Sequence, residues 1–122
     1  DNGSGLSRHE RISAGSLARL LWAAAASKVR DEFASSLAVA ATDGTLQRRF
    51  VDGRVAGQGL LKTGTLDGVR AIAGYVIDAR GRRWIVVALV NHANAARAQG
   101  AIDTLVQWVY GEAGLWSPTQ QR

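Results

Sequence analysis

The sequence predicts a mixed α/β domain, a three-stranded antiparallel meander flanked by helices, on three observations. Apolar residues recur at three- and four-residue spacing through Leu17, Leu20, Leu21, Ala24 and Ala25. Three β-rich segments then follow closely between Gly59 and Val90, joined by short turn signals. A second helical repeat, through Ala98, Ile102, Leu105, Val106 and Val109, closes the pattern.

The opening Asp1 to Ser7 is a cluster of Gly, Ser and Asn and reads as a loop. Ser13 and Ser16 are both candidate N-caps for the first helix, an amphipathic one of about four turns ending near Lys28. Asp31 to Leu37 adds a short helical turn, with Asp31 and Glu32 at its start, where the helix dipole favours negative charge. Thr42-Asp43-Gly44-Thr45 is a turn signal, and the polar, Gly-punctuated stretch from Leu46 to Gly57 reads as a surface loop. The strands are expected at Gly59 to Thr65, Val69 to Ile77 and Arg83 to Val90, with turns at Asp67-Gly68 and Asp78-Ala79-Arg80-Gly81. Asn91 to Asn94 can cap the last helix, which Gly111 and Gly114 stop. The third strand is nearly continuously apolar from Ile85 to Val90, which predicts burial on both faces and a central place in its sheet.

Composition narrows the function. With 122 residues, 47% apolar and 20% charged, the chain has the make-up of one globular domain with one core. No transmembrane segment is expected, because no stretch approaches the roughly 18 apolar residues a span needs. Cysteine is absent, which removes disulfides, thiol catalysis and cysteine-zinc sites, and His9 and His92 lack metal-ligand spacing. No cofactor is implied. The net charge of +5 suits an anionic partner, but the arginines are scattered rather than gathered, so no nucleic-acid footprint is expected. Lysine occurs only at Lys28 and Lys62. An otherwise arginine-using chain keeping Lys62 fits a position where a compact ammonium is needed.

Lys62-Thr63-Gly64, in Leu60-Leu61-Lys62-Thr63-Gly64-Thr65-Leu66, places a cation and a hydroxyl on one strand, a pairing suited to an anionic, peptide-like ligand. Together with Asp1-Asn2-Gly3-Ser4-Gly5-Leu6-Ser7-Arg8 and Asp43-Gly44-Thr45-Leu46, it resembles the penicillin-binding D-alanyl-D-alanine carboxypeptidases/endopeptidases of the DacB type, the S13 family of serine peptidases. The resemblance covers most of the chain and concerns the carboxy-terminal part of that family. The family's Ser-x-x-Lys and Ser-x-Asn motifs occur nowhere in the sequence. Residues 1–122 are thus expected to be one carboxy-terminal, incomplete segment of a DD-peptidase domain with the penicillin-binding-protein/β-lactamase-like fold.

That resemblance implies roles residue by residue. Lys62 supplies positive potential beside the serine site and hydrogen-bonds the second motif's serine, outside this chain. Thr63 binds the terminal carboxylate of a D-alanyl-D-alanine stem peptide, and Gly64 leaves room for the substrate backbone. Thr65 gives its backbone N–H to the oxyanion hole and its carbonyl to a substrate that adds like an edge strand. Asp67 stands where relatives often carry another polar residue, and its carboxylate opposes a substrate carboxylate. Arg8 matches the family's Leu-Ser-Arg and is a candidate either for the cleft, as a substrate-binding residue, or for bonding nearby carbonyls. The strand Arg83 to Val90 pairs, in that fold, with a strand from the amino-terminal half, leaving an open sheet edge in the isolated chain.

Other polar residues carry less. Ser4 lies between two glycines without a base or elbow, and reads as a loop hydroxyl. Trp22, Trp84, Trp108 and Trp116 lie on separate elements and read as packing residues. The first functional expectation is part of a periplasmic serine DD-peptidase acting on peptidoglycan peptides. Its partners are the amino-terminal part of the enzyme and β-lactams bound covalently to a serine outside this chain. On that expectation the segment alone is inactive. The alternative is a non-catalytic module binding anionic wall peptide through Lys62, Thr63 and the arginines.

Overall fold

The structure, a computed structural model, describes residues 9, 11–39 and 58–113. The chain begins there with α1, Ala14–Ala26, whose N-cap is Ser13: its Oγ accepts the Ser16 N–H at 3.0 Å. Such a cap typically contributes about 1 kcal/mol. The helix stops short of Lys28 because Ser27 is extended and donates both its N–H and its Oγ–H to the Ala24 carbonyl. The short α2, Arg30–Ser35, carries Asp31 and Glu32 in its first turn, as the dipole argument requires.

The sheet runs in the order β1-β2-β3-β4, every pair antiparallel: β1 is Ala38–Val39, β2 Gly59–Leu66, β3 Val69–Ile77 and β4 Arg83–Asn91. The expected three-stranded meander is present, and a two-residue β1 joins its outer side at Leu60 and Leu61. The sequence did not announce β1, since two residues show no alternation. The β2–β3 hairpin closes on Asp67-Gly68, where Gly68 takes a φ of 75° that a side chain would resist.

Asp78 organises the β3–β4 turn. Its Oδ1 accepts the N–H groups of Arg80 and Arg82 at 2.8 and 2.9 Å, and its Oδ2 accepts the Trp84 indole N–H at 2.8 Å. The Arg82 guanidinium stands 3.4 Å away. A buried carboxylate with this many donors is stabilised in its charged form. The Trp84 hydrogen bond, the two backbone N–H groups and Arg82 prevail over burial and hold its pKa at about 2.

Two helices cover the two faces. On one, Leu61, Ile72, Val76 and Val86 pack against Ile102, Val106 and Val109 of α3, Gln99–Gly111, and form the core. Each fully buried side chain of this kind contributes about 1.5–3 kcal/mol. On the other, α1 lies against β3 and β4, and the buried Tyr75 hydroxyl donates to the Leu21 carbonyl at 2.5 Å. Burial raises the Tyr75 pKa, a tendency that Arg83 opposes. Gly74 lets β2 and β3 approach: its φ is 155°, and a Cβ there would lie 2.1 Å from the Leu60 carbonyl oxygen.

Three expectations need correction. Neither Asn91 nor Asn94 caps α3 through its side chain; a 3₁₀ turn, Ala95–Ala98, precedes the helix, and the His92 Nδ1 accepts the Asn94 N–H instead. Trp22 and Trp108 are not packed into the core, being 70% and 46% exposed: Trp22 borders an open groove beside Tyr75, Trp84 and Ile85, and Trp108 lies off the face of α3 that buries Ile102, Val106 and Val109. β4 is central in composition but lies at the sheet edge, bonded only to β3 among the described residues, and only Val86 in it is fully buried. Among the described residues the expected open edge is therefore present. The Thr42–Thr45 turn, the loop to Gly57 and Trp116 lie outside the described residues.

Candidate functional site

β2 is the strand that carries Lys62-Thr63-Gly64, and its hydrogen-bond phase decides what it can offer a ligand. Leu66 and Val69 close a two-residue hairpin as a bonded pair, and the Gln58 carbonyl accepts the Ile77 N–H at 2.9 Å. In an antiparallel ladder every second residue bonds one neighbour. The even-numbered residues of β2 therefore bond β3, while Leu61, Thr63 and Thr65 turn their backbone N–H and C=O groups to the far side. There, among the described residues, β1 pairs with β2 as far as Leu61. The stretch from Lys62 to Leu66 continues past β1 as a sheet margin with outward backbone groups at Thr63 and Thr65.

Side chains alternate across this margin. Lys62 and Gly64 share the face of Ala71 and Ala73, toward α1, whereas Thr63 and Thr65 share the opposite face with Ile72 and Arg70. The Lys62 ammonium bends to the margin and donates to the Thr63 carbonyl at 2.7 Å. Among the described residues no carboxylate pairs with it. Behind Lys62 and Gly64 lies an apolar cavity of about 320 Å³, walled by Leu17, Leu21, Phe33, Ala73 and Leu89. A cation thus stands at the mouth of an apolar recess, beside outward-facing peptide groups.

The remaining candidates fall as follows. Thr65 and Asp67 are exposed, Thr63 and Gly64 half-buried. Gly64 has no left-handed φ, and a Cβ there would meet the Ala71 Cβ at 3.4 Å, so its backbone alone does not demand glycine. Asp67 sits at the hairpin tip, just beyond the strand. Arg8 lies outside the described residues. Sequence reasoning passed over Arg70, directly opposite Thr65, whose Nη1 donates to the Leu66 and Val69 carbonyls, both at 2.8 Å. The signal available was its two-residue offset from Gly68 in a hairpin, which fixes its cross-strand partner. No group of three or more His, Cys, Asp or Glu residues suited to a metal occurs among the described residues. None of their helices is long and apolar enough to cross a membrane.

Residues 1–111 match the D-Ala-D-Ala carboxypeptidase 3 (S13) family, and the chain belongs to that family. It is 29% identical over 92 residues to the D-alanyl-D-alanine carboxypeptidase DacB of Haemophilus influenzae, covering 74% of this chain and 19% of the relative. It is 31% identical over 111 residues to the D-alanyl-D-alanine carboxypeptidase of Actinomadura sp. (strain R39), covering 87% of this chain and 20% of the relative. The crystal structure of penicillin binding protein 4 (dacB) from H. influenzae superposes with a TM-score of 0.77 at 25% identity, over 89% of this chain and 26% of that one. A structure of the same protein complexed with a β-lactam gives the same TM-score at 26% identity, over 89% and 28%. The chain thus spans about a fifth of the length of these curated relatives.

Proposed function

We propose that this chain is the substrate-strand segment of a serine-type D-alanyl-D-alanine carboxypeptidase/endopeptidase that acts on peptidoglycan stem peptides in the periplasm. The observation that carries the reading is the margin of β2, where Thr63 and Thr65 turn peptide groups outward and the Lys62 ammonium stands against the Thr63 carbonyl. An extended peptide adds to such a margin as a further strand, and its anionic end meets Lys62 and the Thr63 hydroxyl. The Thr65 N–H, aimed outward, is a candidate oxyanion donor for the carbonyl under attack. Gly64 between them keeps the strand low where the ligand backbone passes.

The nucleophile and its base are assigned to the rest of the protein, since this chain holds neither Ser-x-x-Lys nor Ser-x-Asn. Residues 1–122 alone therefore neither hydrolyse D-alanyl-D-alanine nor become acylated by penicillin. In the full-length protein, Lys62→Ala is expected to lower kcat/KM on a D-alanyl-D-alanine peptide by about a hundredfold or more, as loss of a site's principal electrostatic contact does. Retention of wild-type kcat/KM in Lys62→Ala would exclude β2 as the substrate strand.

A further inference from the structure

We propose that Arg70 is a specificity-determining residue of this same site, reading the terminal carboxylate of a peptide laid along β2; this deepens the reading above and rests on it. Arg70 lies directly opposite Thr65 and on the face that also carries Thr63. Cross-strand partners stand about 5 Å apart at Cβ and diagonal neighbours about 7–8 Å, within reach of a long side chain. The guanidinium is not loose. Its Nη1 is held by the Leu66 and Val69 carbonyls at 2.8 Å each, which fixes the planar fork beneath the hairpin and leaves its other N–H groups for an incoming acceptor. Among the described residues no carboxylate takes that role.

Charge supplies the second argument. Asp67 at the hairpin tip is exposed and repels an anionic ligand. Arg70 is three residues away, on the hydroxyl-bearing face, so Lys62 and Arg70 together leave the margin net positive despite Asp67. A braced arginine matches a carboxylate in two-donor geometry, which a lysine does not. The preference predicted is for peptides with a free terminal carboxylate over those with a blocked end.

The test is steady-state kinetics of full-length protein on paired D-alanyl-D-alanine peptides, one with a free and one with an amidated terminus, for wild type, Arg70→Gln, Arg70→Lys and Arg70→Gln/Asp67→Asn. Arg70→Gln is expected to raise KM for the free-carboxylate peptide by about tenfold with kcat held within about twofold, and to leave the amidated peptide's KM unchanged. Arg70→Lys should fall between, and Asp67→Asn should recover part of the lost affinity in the double variant. Equal losses on both peptides, or a fall in kcat that tracks a lowered Tm, would reduce Arg70 to a brace for the hairpin and overturn the proposal. Wild-type protein inactive on both peptides would instead remove the peptidase reading itself, so the two failures are distinguishable.

Discussion

Asp78 shows how much one side chain can decide. The sequence presents it as the first residue of an Asp-Ala-Arg-Gly turn, and that much is legible because Asp and Gly favour such positions. Its bond to the Trp84 indole was not legible, since it depends on β4 bringing residue 84 back beside the turn. The carboxylate is held at about 2, below its ordinary value of 3.8. A group whose folded pKa is depressed stabilises above the unfolded pKa and loses that contribution as pH falls through the folded one. Asp78 therefore contributes fully above about pH 4 and progressively less toward pH 2. Acid titration of Tm should show Asp78→Asn less stable than wild type at neutral pH, with the gap closing toward pH 2; a gap constant with pH would assign the loss to packing. Gly74 makes a second residue-scale prediction. A Cβ 2.1 Å from the Leu60 carbonyl forces β2 and β3 apart, so Gly74→Ala should cost more than about 2 kcal/mol in denaturant unfolding.

At the scale of elements, periodicity carried most of the fold. β3 has the expected bounds Val69–Ile77, and Ser13 is the cap that begins α1, because turn chemistry and helical spacing are local signals. β1 and the 3₁₀ turn before α3 were not readable, being too short to show a period and fixed by what they pack against. In the site, Lys62, Thr63 and Thr65 were visible as a motif, but which of them turn peptide groups outward depends on the hairpin register. The same register makes β4 testable. Its even-numbered residues bond β3, as the Asp78 N–H to Arg82 carbonyl bond at 2.8 Å shows for the turn, so Ile85, Val87 and Leu89 point their amides to the open edge. Hydrogen exchange on residues 1–122 should find these three amides fast and those of Val86 and Ala88 slow. Uniform protection along β4 would mean that a strand already covers it.

For the whole molecule, the β4 edge, the apolar recess behind Lys62 and the exposed Trp22 are surfaces left uncovered among the described residues. Relatives that this chain matches over only about a fifth of their length supply ample chain to cover such surfaces. On the proposed reading labour is divided: this chain holds the peptide and another segment attacks it. Fluorescent penicillin, applied to full-length protein and followed by proteolysis and mass mapping of the labelled peptide, addresses that claim most directly. The expected label lies on a serine outside residues 1–122, and Lys62→Ala labels far more slowly. A label on any residue of this chain, or a Lys62→Ala protein that labels at the wild-type rate, would contradict the account.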